Sequence, residues 1–186
     1  CDKSDNLGEK DIKLIKSIIA NNHLSTIEHI CLSFKISGIS RALLQELARH
    51  RLASLSVKST RYTLLKDLKN ADEKDLKNYL VSIHGRIDDL NRDRLIIIKD
   101  LLNKTFVSND EIKYLLPEAF KTELVLTINA RSLRNLLELR LSSKALKEFR
   151  ELAKEIYKTI PENHRILFDD IVEKSNSSLI LHSLSH

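Results

Sequence analysis

The run Arg49-His50-Arg51-Leu52-Ala53-Ser54-Leu55-Ser56-Val57-Lys58-Ser59-Thr60-Arg61-Tyr62 concentrates the residue types that could do chemistry. No acidic residue lies between Glu46 and Asp67, while Arg49, Arg51, Lys58, Arg61 and Lys66 alternate with Ser54, Ser56, Ser59, Thr60 and Thr63. Guanidinium and ammonium groups are charged donors to anions, and hydroxyls are neutral ones. Such a mixture suits a ligand carrying phosphate, whose oxygens accept two parallel bonds from an arginine fork. The plainer reading is a solvated basic surface. Two features weigh against it: Leu52, Ala53, Leu55 and Val57 thread apolar residues through the charges, and the apolar-periodic Leu43, Leu44 and Leu47 lead into Arg49.

Two further clusters stand out. Asn22-His23-Leu24-Ser25-Thr26-Ile27-Glu28-His29 puts two histidines, a carboxylate and two hydroxyls just before an apolar stretch. Ser25 with Glu28 fits a capping box. His23, Glu28 and His29 lack the spacing of a helical zinc motif, so no metal is assigned. The second cluster is Asn129-Ala130-Arg131-Ser132-Leu133-Arg134-Asn135, with Arg140 five residues on. Asn129 and Arg140 are eleven residues apart, about three helical turns, so they can share a face. Arg134 and Glu138 have the i,i+4 spacing of a helix salt bridge. No Ser–His–Asp or Cys–His arrangement and no phosphate-binding loop is evident, and three glycines do not make a dinucleotide fingerprint.

The elements that must position these groups follow from periodicity. Ile12, Ile15, Ile18 and Ile19 predict an amphipathic helix over 9–22. Alternation in 28–37 predicts a half-buried strand that Gly38 ends. Ser40 then caps a helix over about 40–51 that delivers Arg49-His50-Arg51 at its end. Residues 52–62 read as a loop. Apolar spacing predicts helices over 72–84 and 86–103, with a turn at His84-Gly85. A β-branched strand, Glu123 to Asn129, feeds a helix that runs on through Leu146, Phe149, Leu152 and Ile156 to Pro161. The polar residues 1–8 and Ser175-Asn176-Ser177-Ser178 read as loop and tail. This is a helix-rich α+β plan with a small central sheet and two strand–helix units.

With 186 residues, of which 42% are hydrophobic and 31% charged, the chain predicts one domain with a real core, or two small ones. Cys1 and Cys31 are too few for a disulfide framework. No apolar run approaches the ~20 residues of a membrane helix, and no signal peptide is read at the start. A reducing cytoplasm and no membrane partner are therefore expected. The net charge of +5 admits a polyanion, so a basic helical nucleic-acid-binding protein is the alternative. Five Phe and four Tyr give such a protein few stacking platforms, and the expectation is no nucleic-acid partner.

The pattern Arg49-His50-Arg51, two residues, Ser54, four residues, Ser59, one residue, Arg61-Tyr62 resembles the signature of the flavin-dependent thymidylate synthases, the ThyX family. Asn129-Ala130-Arg131-Ser132-Leu133-Arg134-Asn135 with Leu139-Arg140 resembles a second block of that family. Lys113-Tyr114-Leu115-Leu116-Pro117 followed by Thr122-Glu123 resembles a third. The resemblance implies the thymidylate synthase-complementing-protein fold as one catalytic domain over 1–186, with a first strand before Cys1. It implies FAD held by His23, Ser25, Glu28, Arg49, His50, Arg51, Asn129, Arg131 and Asn135. It also implies dUMP held by Gln45, Glu46, Ser59, Thr60, Arg61, Lys113 and Arg140, with Arg140 activating the uracil ring. Methylenetetrahydrofolate and NADPH would be co-substrates, and the assembly a homotetramer with active sites shared between subunits. Four positions depart from the family pattern: Glu46 stands where family members have Gln, Ser56 where many have Asn, Val57 where many have an acid, and Lys113 where they have Arg.

Overall fold

The computed structural model describes residues 8–104 and 106–175. Residues 1–7 of the expected loop over 1–8, and the tail beyond Ser175, lie outside them. In order, the elements are α1 (Glu9–Ala20), a 3-10 turn (Leu24–His29), β1 (Cys31–Ser40), α2 (Arg41–Leu47), β2 (Ala53–Val57), a π-turn (Thr60–Leu64) and α3 (Leu65–Asn70). A 3-10 turn (Glu73–Tyr79), α4 (Gly85–Leu102), α5 (Asn109–Ile112), a 3-10 turn (Lys113–Leu115), β3 (Lys121–Asn129), α6 (Ala130–Arg140), α7 (Lys147–Thr159) and α8 (Glu162–Arg165) follow. The three strands form one small antiparallel sheet in the order β1-β3-β2. The helix-rich α+β plan is as the sequence predicts, and among the described residues no helix is long and apolar enough to cross a membrane.

Both strand–helix units are built alike. The last residue of each strand is the N-cap of the next helix. Ser40 Oγ accepts the Leu43 amide at 3.0 Å, and Asn129 Oδ1 accepts the Ser132 amide at 2.8 Å. A side-chain acceptor here satisfies an amide that would otherwise have no partner at the helix start. The consequence is that Arg41 and Arg131 each fall in the first turn of their helix.

The chain divides into two compact units. The first comprises Cys1–Phe34, His50–Ala53 and Thr127–His186. Here α6 packs on α7 and on the turn Leu24–His29. Leu133, Leu136, Leu137, Phe149, Ala153 and Phe168 are fully buried. The second comprises Lys35–Arg49 and Ser54–Leu126. Its core joins Leu65, Leu68, Leu76, Leu95, Ile98, Ile112 and Phe120.

Five expectations are corrected. β1 does not stop at Gly38. That residue takes φ +77°, which glycine tolerates without a Cβ clash, and the strand continues to Ser40. The helix after Ser40 ends at Leu47, and residues 53–57 form β2 rather than a loop. Ala53 and Leu55 are half-buried while Ser54 and Ser56 are exposed, a period of two that the basic composition masked. The predicted helix over 72–84 is only the 3-10 turn Glu73–Tyr79. The helix expected to run to Pro161 breaks after Arg140 into α6 and α7. Ser142 Oγ accepts the Lys144 amide at 3.3 Å, and Arg150 Nη1 donates to the Ser143 and Ala145 carbonyls at 2.8 and 2.6 Å. Side-chain bonds to the backbone thus replace the helical ladder there.

Candidate active site

In the second unit, the residues after β2 turn into a cleft of about 640 Å³. Ser59 Oγ caps the π-turn by accepting the Tyr62 amide at 3.4 Å, which fixes Thr60 and Arg61 in its first positions. On the other side, Ser108 and Glu111 form a capping box around α5. The Ser108 amide donates to Glu111 Oε2 at 2.8 Å, and its hydroxyl accepts the Glu111 amide at 3.3 Å. That cap presents Asp110 and Lys113 to the cleft. The lining thus holds Arg41, Lys58, Arg61 and Lys113 as cations and Asp110 as an acid.

The four cations differ in their partners. Arg61 Nη1 lies 3.1 Å from Asp110 Oδ1, and its guanidinium carbon sits 4.5 Å from the centroid of the Tyr62 ring. The hydrogen bond to Asp110, then that carboxylate's charge, raises the Arg61 pKa above its ordinary value. Lys58 Nζ is 3.0 Å from Glu123 Oε1 and 3.6 Å from Asp67 Oδ2, and the bond to Glu123 chiefly raises its pKa. Arg41 Nη1 instead donates to the hydroxyl of buried Thr60 at 2.9 Å. Among the described residues no carboxylate pairs with Arg41 or Lys113.

The structure therefore brings Thr60, Arg61, Ser59 and Lys113 to one cleft, and it places Gln45 and Glu46 outside the lining. Gln45 Nε2 donates to both Glu118 oxygens at 2.9 and 3.0 Å, and Glu46 lies 3.5 Å from Arg49. Arg41 and Asp110 were missed by the sequence reading. Arg41 carried a signal nonetheless: a cation at the first position of a helix opposes the macrodipole, so its presence asks for another reason. Asp110 is linked to Arg61 only through the fold.

In the first unit, Arg140 Nε donates to His50 Nε2 at 2.8 Å, and the guanidinium carbon lies 4.5 Å over the Phe149 ring centroid. His50 itself meets Phe149 edge-on, centroids 5.7 Å apart, and is 9% exposed. Acceptance at Nε2 requires the neutral imidazole with its proton on Nδ1. Arg140 is half-buried and held by an aromatic face and a ring nitrogen, so its fork is oriented before any ligand arrives.

The other flavin-side candidates of this unit lie at its surface. Glu28 and Arg131 form an ion pair, with side chains 44% and 52% exposed. His23, Ser25, Arg51 and Asn135 are exposed. Arg49 belongs to the second unit. Two expectations here are corrected. The capping box at Ser25 and Glu28 does not form: His23 is the N-cap residue, and no side chain caps the turn. Glu28 turns to Arg131 instead, since an exposed carboxylate gains more from a guanidinium than from a backbone amide. Arg134 does not pair with Glu138. It is buried, and its Nη1 and Nη2 donate to the two Asp170 oxygens at 2.7 and 2.8 Å, with Nη1 also reaching the Leu167 carbonyl. That hydrogen bond is the first cause holding the Asp170 carboxyl below its usual range.

A helix-rich α+β chain with an arginine-bearing strand–helix pair of this kind has relatives. A family model described as thymidylate synthase complementing protein matches residues 2–164, and the chain belongs to that family. A flavin-dependent thymidylate synthase of Wolinella succinogenes is 49% identical over 90% of this chain and 85% of its own length. One from Campylobacter jejuni is 45% identical over 93% of this chain and 86% of its own. Among solved structures, Helicobacter pylori ThyX with FAD and dUMP aligns with a TM-score of 0.82 at 43% identity, covering 91% of this chain and 86% of that one. The relatives are synthases and give the nucleic-acid alternative no support.

Proposed function

We propose that this chain, as one catalytic domain over 1–186, is a flavin-dependent thymidylate synthase. It converts dUMP to dTMP with FAD as cofactor, methylenetetrahydrofolate as carbon donor and NADPH as reductant. The observation that carries the reading is the cationic cleft of the second unit, with Arg41, Lys58, Arg61 and Lys113 around the Thr60 hydroxyl. Ser59, Thr60, Arg61 and Lys113 hold the substrate phosphate there. Lys113 keeps the charge of the arginine it replaces but gives a point contact rather than a fork. Gln45 and Glu46 keep their place as candidate contacts to the pyrimidine.

The flavin-side residues fit FAD in kind. Arg49, Arg51 and Arg131 supply guanidinium donors for a pyrophosphate, and His23, Ser25, Asn129 and Asn135 supply neutral polar groups for ring and ribityl oxygens. His50 and Glu28 hold Arg140 and Arg131 in place. When bound, FAD supplies the hydride, and the protein binds and orients. Arg140 places a fixed positive charge where negative charge develops on the uracil ring. It favours loss of the ring-nitrogen proton and so makes the ring a better nucleophile. Ser59 has a binding role, its oxygen already accepting an amide of its own turn.

The chain acts as a homotetramer, with active sites shared between subunits, in the cytoplasm. A second apolar stripe of α4 supports self-association: Leu95, Ile98 and Leu102 are buried, whereas Leu90 and Ile97, seven residues apart, are 64% and 62% exposed. A helix with apolar residues on two faces has a use for both.

An absorbance spectrum of the purified protein with added FAD, followed by dUMP, tests the reading. Bound flavin absorbing near about 370 and 450 nm and perturbed by dUMP is expected. Arg140→Ala should keep the flavin and lose the dUMP response. No flavin bound at any FAD concentration would overturn it.

A further inference from the structure

Phe149 is fully buried, yet its ring meets two polar side chains. The Arg140 guanidinium carbon lies 4.5 Å over the ring centroid, and the His50 imidazole stands at 76° to the ring, centroids 5.7 Å apart. Arg140 Nε also donates to His50 Nε2 at 2.8 Å, so ring, imidazole and guanidinium close a set of three contacts within the first unit. A leucine or methionine would fill much of the same core volume without attracting a cation. An aromatic face does attract one, because its π electrons leave it with partial negative charge.

The contact exists because the helix breaks. Phe149 lies nine residues after Arg140. In an unbroken helix it would stand about 13.5 Å further along the axis and about half a turn round, facing the opposite side. Instead α6 ends at Arg140, and Arg150 donates to the Ser143 and Ala145 carbonyls. The first turn of α7 thereby carries the Phe149 ring back beneath the guanidinium.

We infer that Phe149 is a positioning residue of the proposed reaction: its ring holds the Arg140 guanidinium in place, while His50 sets the direction of Nε–H. The inference rests on the proposed role of Arg140 in activating the uracil ring. Being fully buried, Phe149 acts through Arg140 and His50 rather than on the substrate.

The test replaces Phe149 with phenylalanines bearing one, two and then three ring fluorines. It measures conversion of dUMP to dTMP with FAD, methylenetetrahydrofolate and NADPH. Fluorine withdraws negative charge from the ring face while nearly keeping its shape and apolar burial, so a residue that only fills the core would not respond. A graded fall in kcat at saturating dUMP, about 3- to 10-fold by the third fluorine, is expected with thermal stability retained. A kcat that stays flat across the series, in a wild-type protein that binds flavin and converts dUMP, overturns the inference and leaves the function standing. If the fluorinated chains do not fold, Phe149→Leu decides in two backgrounds. It should lower kcat about 10-fold in wild-type protein and have no further effect in Arg140→Ala, and equal losses in both would overturn the inference. Wild-type protein that converts no dUMP sinks the proposed function and this inference with it.

Discussion

Arg61 and Arg140 hold a guanidinium in two different ways. Arg61, in the second unit, lies against Asp110 with its side chain 43% exposed. Arg140, in the first unit, rests on the Phe149 ring and donates to a buried imidazole. An exposed carboxylate partner can be exchanged for another anion at small net cost, since such a pair contributes only about 0–1 kcal/mol. An aromatic face and a ring nitrogen fix the direction of the guanidinium instead. The comparison teaches that the cleft is built to swap anions, whereas the Arg140 cluster is built to aim one charge.

Arg140→Ala breaks the aimed charge and should have the largest effect. A fall of about 10³-fold in kcat/KM is expected, as for loss of a donor that acts on developing charge. Steady-state rates with dUMP would show it, and retention of the flavin would rule out loss of the cofactor as the cause.

Arg61→Ala breaks the exchangeable pair. It should weaken dUMP about 100-fold while Arg61→Lys weakens it about 10-fold, because lysine keeps charge without the fork. Equal losses would mean that geometry plays no part there.

The strut behind the first cluster comes next. Arg134→Met removes the partner of Asp170 and should lower stability by about 2 kcal/mol in chemical denaturation, the half-exposed acid softening the cost of a broken buried pair. The Asp170 carboxyl has a depressed pKa in the folded state. Its contribution is present above the ordinary aspartate value of about 3.9 and is lost as pH falls through the lower folded value. The difference between wild type and variant should therefore narrow on acidification below about pH 4.

Gln45→Ala should have the smallest effect. Its bonds to Glu118 are exposed, and about 0.5 kcal/mol of stability is expected to go with them. A dUMP affinity that falls sharply in this variant would give Gln45 a direct place on the substrate.

Much of this was legible beforehand because it is local. The Ser40 cap, the strand leading into Asn129 and the run Lys58-Ser59-Thr60-Arg61 depend on neighbours in sequence, and residue types with their spacing determine them. The alternation in 53–56 was equally local, yet charge and hydroxyl content disguised a strand as a loop. The break after Arg140 was hidden for a related reason: the apolar spacing continues across it, and only the bonds made by Ser142 and Arg150 interrupt the helix. What tertiary structure alone decided was pairing. Arg134 chose Asp170 over Glu138, Arg61 found Asp110, Arg41 found Thr60, and Arg140 found His50 and Phe149. Spacing along the chain permits a partner, but packing selects it: each guanidinium takes the oxygen, nitrogen or ring that the folded chain brings within reach, and for buried Arg134 desolvation makes a paired acid necessary.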